Sequence, residues 1–149
     1  MKRFKRTLCV LSLALVSAFA WAQAPDRVQE QNGITFVSGG IGADSRDDLA
    51  TREKSYNFKL VATLDGSGSF VSGVRVTLTS AAGDKLVEHV TDGPIMLAGL
   101  PSGSYLLTAT FRGIIHTRKF QVRAERLHTE YMRWPADPSQ DVVLPPEMK

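Results

Sequence analysis

Three stretches of this chain alternate apolar and polar residues with a period of two, and each stops at a turn signal. Tyr56, Phe58, Leu60, Ala62 and Leu64 alternate with Asn57, Lys59, Val61 and Thr63, and the run ends at Asp65-Gly66-Ser67-Gly68. Val74, Val76 and Leu78 alternate with Arg75, Thr77 and Thr79 before Ala82-Gly83-Asp84. Tyr105, Leu107, Ala109 and Phe111 alternate with Leu106, Thr108, Thr110 and Arg112 before Gly113. A strand puts successive side chains on opposite faces, so each run predicts a half-buried antiparallel strand with one face on a core. Weaker strand signals cover residues 34–38, 86–91, 94–98, 115–123 and 127–134. Two sheets must then cover each other's apolar faces, and the chain predicts a mainly β fold, a single antiparallel β-sandwich of about seven strands.

One segment departs from the period of two. Ser45 followed by Asp48 has the spacing of a capping box, Asp47 and Asp48 fall in the first turn, and Arg52 and Lys54 fall near the end, as a helix dipole favours. A short helix is expected near residues 45–54. Its apolar content is Leu49 and Ala50, so it is expected on the surface or closing one end of the sandwich. Residues 23–32 are polar and contain Pro25, and residues 136–149 carry Pro138, Pro145 and Pro146. Both are expected to be extended or mobile flanks of a domain over residues 33–135.

The first 22 residues read as an export signal. Lys2, Arg3, Lys5 and Arg6 precede an apolar run from Leu8 to Ala20, and Ala20-Trp21-Ala22 supplies the small-x-small pattern of a signal peptidase site. Cleavage is expected between Ala22 and Gln23, giving a periplasmic protein, with secretion as the alternative. The 13-residue run is shorter than the roughly 20 that a spanning helix needs, and no transmembrane segment is expected in the mature chain. Cys9, the single cysteine, precedes most of the apolar core and would leave with it. The mature chain would then hold neither a thiol nor a disulfide. Four of the 18 basic residues also leave while all 15 acids stay, which turns a net charge of +3 into about −1. That balance removes the case for a nucleic-acid partner.

The run Met96-Leu-Ala-Gly-Leu-Pro-Ser-Gly-Ser-Tyr105 resembles the "x-L-x-G-L-P-x-G-x-Y" signature of carboxypeptidase regulatory-like domains, transthyretin-like β-sandwiches that serve as accessory modules of secreted proteins. Gly73-Val-Arg-Val-Thr-Leu78 resembles the family's "G-a-x-V-x-L" strand, and Gly83 its following turn glycine. Leu97 and Leu100 would anchor in the core, Pro101 pre-sets a turn, and Tyr105 opens a strand with a buried ring and a hydroxyl able to reach backbone. Thr91-Asp92-Gly93-Pro94-Ile95 departs from the family's "T-D-x-x-G-x-F" and implies a rebuilt connection. The block from Phe36 to Gly42 resembles the start of a group of small exported proteobacterial proteins, for which location and fold are implied and no reaction.

Motifs that carry chemistry are sparse. Ser38-Gly39-Gly40-Ile41-Gly42 lacks the Lys-Ser/Thr that follows a phosphate loop and reads as a tight turn. His128-Thr-Glu130-Tyr-Met132 has methionine where a two-histidine zinc motif needs its second histidine. Neither a catalytic centre nor a metal or cofactor site is expected. His116 and Arg118 stand out because they share strand parity with Ile114, Phe120 and Val122, the apolar side. A buried unpaired charge is costly, so either a bulge shifts the register near residue 117 or the pair sits at a rim, with binding of an anionic group as the functional alternative to both. Arg112, Arg118, Lys119, Arg123, Arg126 and Arg133 outnumber Glu125 and Glu130 in the last two strands. Charge-protected strand edges account for that excess, and a patch that docks an acidic partner is the functional alternative. His116, Arg118, Arg123 and Arg126 are therefore the candidate contacts with a ligand or partner, which would be an envelope protein or glycan. The function expected is a non-enzymatic binding or structural module. The alternatives are a subunit of an envelope assembly, or a small hydrolase like the hydroxyisourate hydrolases that share the transthyretin fold. Those end in Tyr-Arg-Gly-Ser, whereas this chain reads Pro-Pro-Glu-Met-Lys there.

Overall fold

The computed structural model describes residues 26–140 of the 149. The export segment with Cys9, Ala22 and Gln23, and the part of the tail from residue 141 onward, lie outside the described residues. Nine strands and one helix follow in the order β1 (Val28–Gln31), β2 (Ile34–Gly39), α1 (Ala43–Arg52), β3 (Phe58–Leu64), β4 (Arg75–Ser80), β5 (Lys85–Val90), β6 (Ile95–Ala98), β7 (Gly103–Phe111), β8 (Ile114–Val122) and β9 (His128–Trp134), with a 3₁₀ turn Glu53–Ser55 after the helix. They form a β-sandwich of a five-stranded sheet, β1-β2-β6-β3-β9, and a four-stranded sheet, β5-β4-β7-β8. Every segment with a strand signal forms a strand. The addition is β1, which lies in the polar segment expected to be extended or mobile and pairs with β2 from Val28↔Val37 to Gln31↔Ile34.

The alternating residues fill the space between the sheets. Phe58, Leu60, Ala62 and Leu64 of β3 face Val76 and Leu78 of β4 and Tyr105, Leu107 and Ala109 of β7, with Met132 and Trp134 of β9 completing that core. Burying each large side chain is worth roughly 1.5–3 kcal/mol. A second, smaller core lies on the outer face of the five-stranded sheet, where Leu49 of α1 packs on Val37, Ile95 and Leu97, with Tyr56 against them. Of the two places expected for the helix, it takes the surface, lying across a sheet face and held by Leu49 at 1% exposure. Leu97 and Leu100 both anchor in a core, Leu97 in the outer one and Leu100 in the main one. One reading is corrected: Tyr56 leaves the parity of Phe58 because it precedes the strand. The central β6 is covered on both faces, so all four of its residues are buried and alternation is absent there.

Ser45 is not the helix cap. Gly42, at φ 85°, holds that position without a side-chain bond. The Ser45 hydroxyl instead accepts from the Gly40 N–H at 2.7 Å and donates to Asp26 Oδ2 at 2.5 Å, tying the β2–α1 turn to the start of β1. The divergent segment Thr91–Pro94 carries the chain from one sheet to the other. Thr91 N–H donates to Val74 O, Thr91 O accepts from Gly73 N–H, and Pro94 O accepts from Ala62 N–H. A Cβ at Gly93 would lie 2.1 Å from the Gly39 carbonyl oxygen, so glycine is what lets the crossing pass. One pairing departs from the all-antiparallel expectation: after β8 the chain crosses back and β9 lies parallel to β3, from Phe58↔His128 to Leu64↔Trp134.

Candidate functional site

A sandwich built from two open sheets has four edges, and this one treats them differently. On one side, the Gln31 side chain at the end of β1 occupies the backbone of β5. Its Nε2 donates to Glu88 O at 3.0 Å and its Oε1 accepts from Glu88 N–H at 2.9 Å, while Asn32 Nδ2 donates to Leu86 O at 3.0 Å. The same side holds Ser38, His89 and Asp92. Ser38 Oγ lies 2.8 Å from His89 Nε2 and 3.0 Å from Asp92 Oδ2, and it accepts from the Asp92 N–H at 3.0 Å. The three residue types suggest a nucleophile relay, but the arrangement differs from one. A relay places the carboxylate on the histidine nitrogen remote from the serine, whereas here serine and carboxylate share Nε2, at 2.8 and 3.5 Å. With His89 donating to Ser38 and Ser38 donating to Asp92, every bond is satisfied and the serine proton points at the carboxylate. Ser38 is 2% exposed, and the cluster fastens β2 to the β5–β6 crossing.

The opposite side, where β8 of one sheet lies over β9 of the other, is joined by rings. The Trp134 indole stands edge-on to His116 with centroids 5.2 Å apart and to Phe111 at 5.8 Å, and its Nε1–H donates to Ile114 O at 3.1 Å. Phe120 stacks on His128 at 5.3 Å, and His128 Nε2 bonds Glu130 Oε1 at 2.8 Å. Between these contacts lies a recess of about 580 Å³ lined by His116, Thr117, Arg118, Tyr131, Met132 and Arg133.

The register of β7 with β8 runs unbroken from Gly103↔Val122 to Phe111↔Ile114. His116 and Arg118 therefore keep the inward parity, and the rim accounts for them, with no bulge. Phe120 and Val122 are buried further along the strand, His116 is half-buried, and Arg118 is exposed. His116 Nε2 is itself buried and has no hydrogen-bond partner, a situation that costs about 1–3 kcal/mol in a folded protein. Among the described residues the side chains of Arg118 and Arg133 form neither a hydrogen bond nor an ion pair. Glu130, the nearest acid along β9, is already engaged by His128.

Arg123 and Arg126 lie elsewhere. They bridge one another in the exposed loop after β8, with Arg126 N–H donating to Arg123 O at 3.3 Å, so the structure brings together two of the four candidate residues. Arg133 and Tyr131 join them. The sequence signal for these two is the alternation of exposed Tyr131 and Arg133 with buried Met132 and Trp134.

Tyr131 and Arg133 also line a second recess, of about 560 Å³, on the open half of the outer sheet face, floored by Val61 and Ile95 and flanked by exposed Phe70. A third, of about 740 Å³, lies at one end of the sandwich beside Tyr105, Lys119 and His128. Its histidine is already bonded and stacked. His89, His116 and His128 have three separate sets of neighbours, and among the described residues no three His, Cys, Asp or Glu side chains group closely enough to share a metal ion. Among the same residues no helix is long and apolar enough to cross a membrane. No family model, no curated protein and no solved structure matches this chain.

Proposed function

We propose that this chain is an exported, non-enzymatic binding module that takes an anionic group of an envelope protein or glycan into the recess between β8 and β9. The carrying observation is a recess lined by His116, whose buried Nε2 has no partner, and by Arg118 and Arg133, whose guanidinium groups engage none of the described residues. A carboxylate, phosphate or sulfate in the recess would accept from the two guanidinium groups and, once the His116 ring turns toward it, from Nε2 as well, and charge-assisted bonds of this kind are about twice as strong as neutral ones. Export is supported by the basic, apolar and Ala-x-Ala pattern of residues 1–22, and a periplasmic location follows from it. The resemblance to carboxypeptidase regulatory-like domains is supported by the bonds of its signature residues: Tyr105 donates its hydroxyl to Pro101 O, and Leu100 is bonded through both backbone groups to Asn57. That resemblance implies an accessory module of a secreted protein.

The test uses the chain starting at Gln23, in which Trp134 is the only tryptophan and abuts His116. Titration with poly-L-glutamate and with polygalacturonate should change Trp134 fluorescence at low ionic strength and weaken as salt is added. His116→Ala and Arg118→Ala should weaken it further. Binding of neither polymer, or binding indifferent to salt and to both substitutions, refutes the proposal.

A further inference from the structure

Beside the recess, β9 has an edge that no other strand of the described residues pairs with. His128 N–H donates to Asn57 O and Asp65 N–H donates to Trp134 O. In a parallel pair these two bonds fix the phase: residues 128, 130, 132 and 134 turn their backbone groups toward β3, and the intervening residues turn theirs away. Thr129, Tyr131 and Arg133 therefore present three N–H and three C=O groups along the outer edge of the five-stranded sheet, at the two-residue spacing that an added strand requires. Two of the other three edges are less open, since β5 is capped by Gln31 and β1 is four residues long, while β8 carries two cations, Arg118 and Lys119, among its exposed residues. Edge strands of folded proteins are usually blunted by such devices. On β9 the only charge exposed on the outer face is Arg133, and Tyr131 is 62% exposed.

Resting on the anionic-partner reading above, we infer that the partner is an extended acidic peptide segment that adds to the five-stranded sheet as a strand beside β9. Its backbone pairs with Thr129, Tyr131 and Arg133, and a carboxylate side chain reaches Arg118 and His116 in the recess. Backbone pairing supplies affinity without sequence preference, and the recess supplies the charge preference. A polysaccharide has no repeating N–H and C=O pair to offer such an edge, so the free backbone groups favour a peptide.

The experiment uses a capped ten-residue peptide alternating glutamate and valine, with the chain from Gln23 onward. Two further peptides carry N-methyl groups, one on all glutamate amides and one on all valine amides. Only one of those two sets faces β9 in a given register. Strand addition therefore predicts that one methylated peptide loses affinity by roughly tenfold or more while the other binds like the parent. It also predicts that the amides of Thr129, Tyr131 and Arg133 exchange hydrogen at least about tenfold more slowly with peptide bound. Equal binding of all three peptides with no added protection would overturn strand addition while leaving the anionic-partner reading standing, provided Arg118→Ala still weakens binding. Failure of every acidic probe would overturn both. Protection of the same amides that grows with protein concentration in the absence of peptide would assign the edge to a second copy of this chain and overturn the peptide proposal.

Discussion

The indole N–H of Trp134 donates to the carbonyl of Ile114 across 3.1 Å, tying the last strand of one sheet to the edge strand of the other. The ring that makes this bond also stands against His116, and the histidine is thereby held with Nε2 buried and unpartnered. Replacing such a group with an apolar one of similar size removes an unmet desolvation cost. His116→Leu should therefore leave stability unchanged or raise it by up to about 1–3 kcal/mol, read as a higher urea midpoint at an unchanged slope. The same substitution should weaken binding of the acidic probes. A variant that loses both stability and binding would make His116 an ordinary packing residue.

Tyr105 is a second residue whose polar end is fixed by the fold. Its ring packs on Phe120 at 5.7 Å, and its hydroxyl donates to Pro101 O at 2.5 Å. Burial raises its pKa above the ordinary 10.0, because the phenolate is the form that loses solvation. The unfolded chain therefore ionises first, and the stability tied to the neutral hydroxyl is present below pH about 10 and lost as pH rises through the folded-state value. Tyr105→Phe should cost about 0.5–1.5 kcal/mol at neutral pH. Between pH about 8 and about 11 the gap between variant and parent should narrow, since phenylalanine has nothing to ionise. Parallel urea midpoints across that range would contradict this account.

Asn57 is buried, although its sequence parity placed it opposite the core-facing residues of β3. Its Nδ2 donates to Leu100 O at 2.6 Å and its Oδ1 accepts from Leu100 N–H at 2.8 Å, while its own backbone carbonyl receives His128 N–H. Asn57→Ala would strand both groups of Leu100 in a closed turn, and each unmet buried group costs about 1–3 kcal/mol. A loss of roughly 2–4 kcal/mol in urea unfolding is expected. Asn57→Asp should be nearly as damaging, because a carboxylate accepts from Leu100 N–H but has nothing to donate to Leu100 O.

Strands were legible wherever one face is buried and the other wet, as in β3, β4 and β7, because the period of two then records the fold directly. The signal was weaker or missing where that condition failed. β6 is buried on both faces by the helix and the opposite sheet, and β1 is polar because it serves as an edge stitched by Gln31. The parallel arrival of β9 beside β3 is invisible to periodicity, which carries no direction. At the candidate site, His116 and Arg118 were legible because polar side chains at inward parity break the pattern. Ser38 and His89 were not: they stand 51 residues apart and meet only because β2 and β5 end on the same side of the sandwich.

That meeting yields the last prediction. A serine that served as a nucleophile would give its proton to the histidine and face an open cavity. Ser38 is enclosed, and the bonding that satisfies all three residues directs its proton to Asp92 Oδ2. A fluorophosphonate reagent should therefore leave the folded protein unlabelled at Ser38. Ser38→Ala should act on stability instead: it leaves the Asp92 N–H without its acceptor and His89 Nε2 with only its 3.5 Å contact to Asp92 Oδ2, and should lower the urea midpoint by the equivalent of about 1–3 kcal/mol. Stoichiometric labelling of Ser38 in the native state, abolished by His89→Ala, would show a relay at this position and turn the functional reading from binding toward hydrolysis.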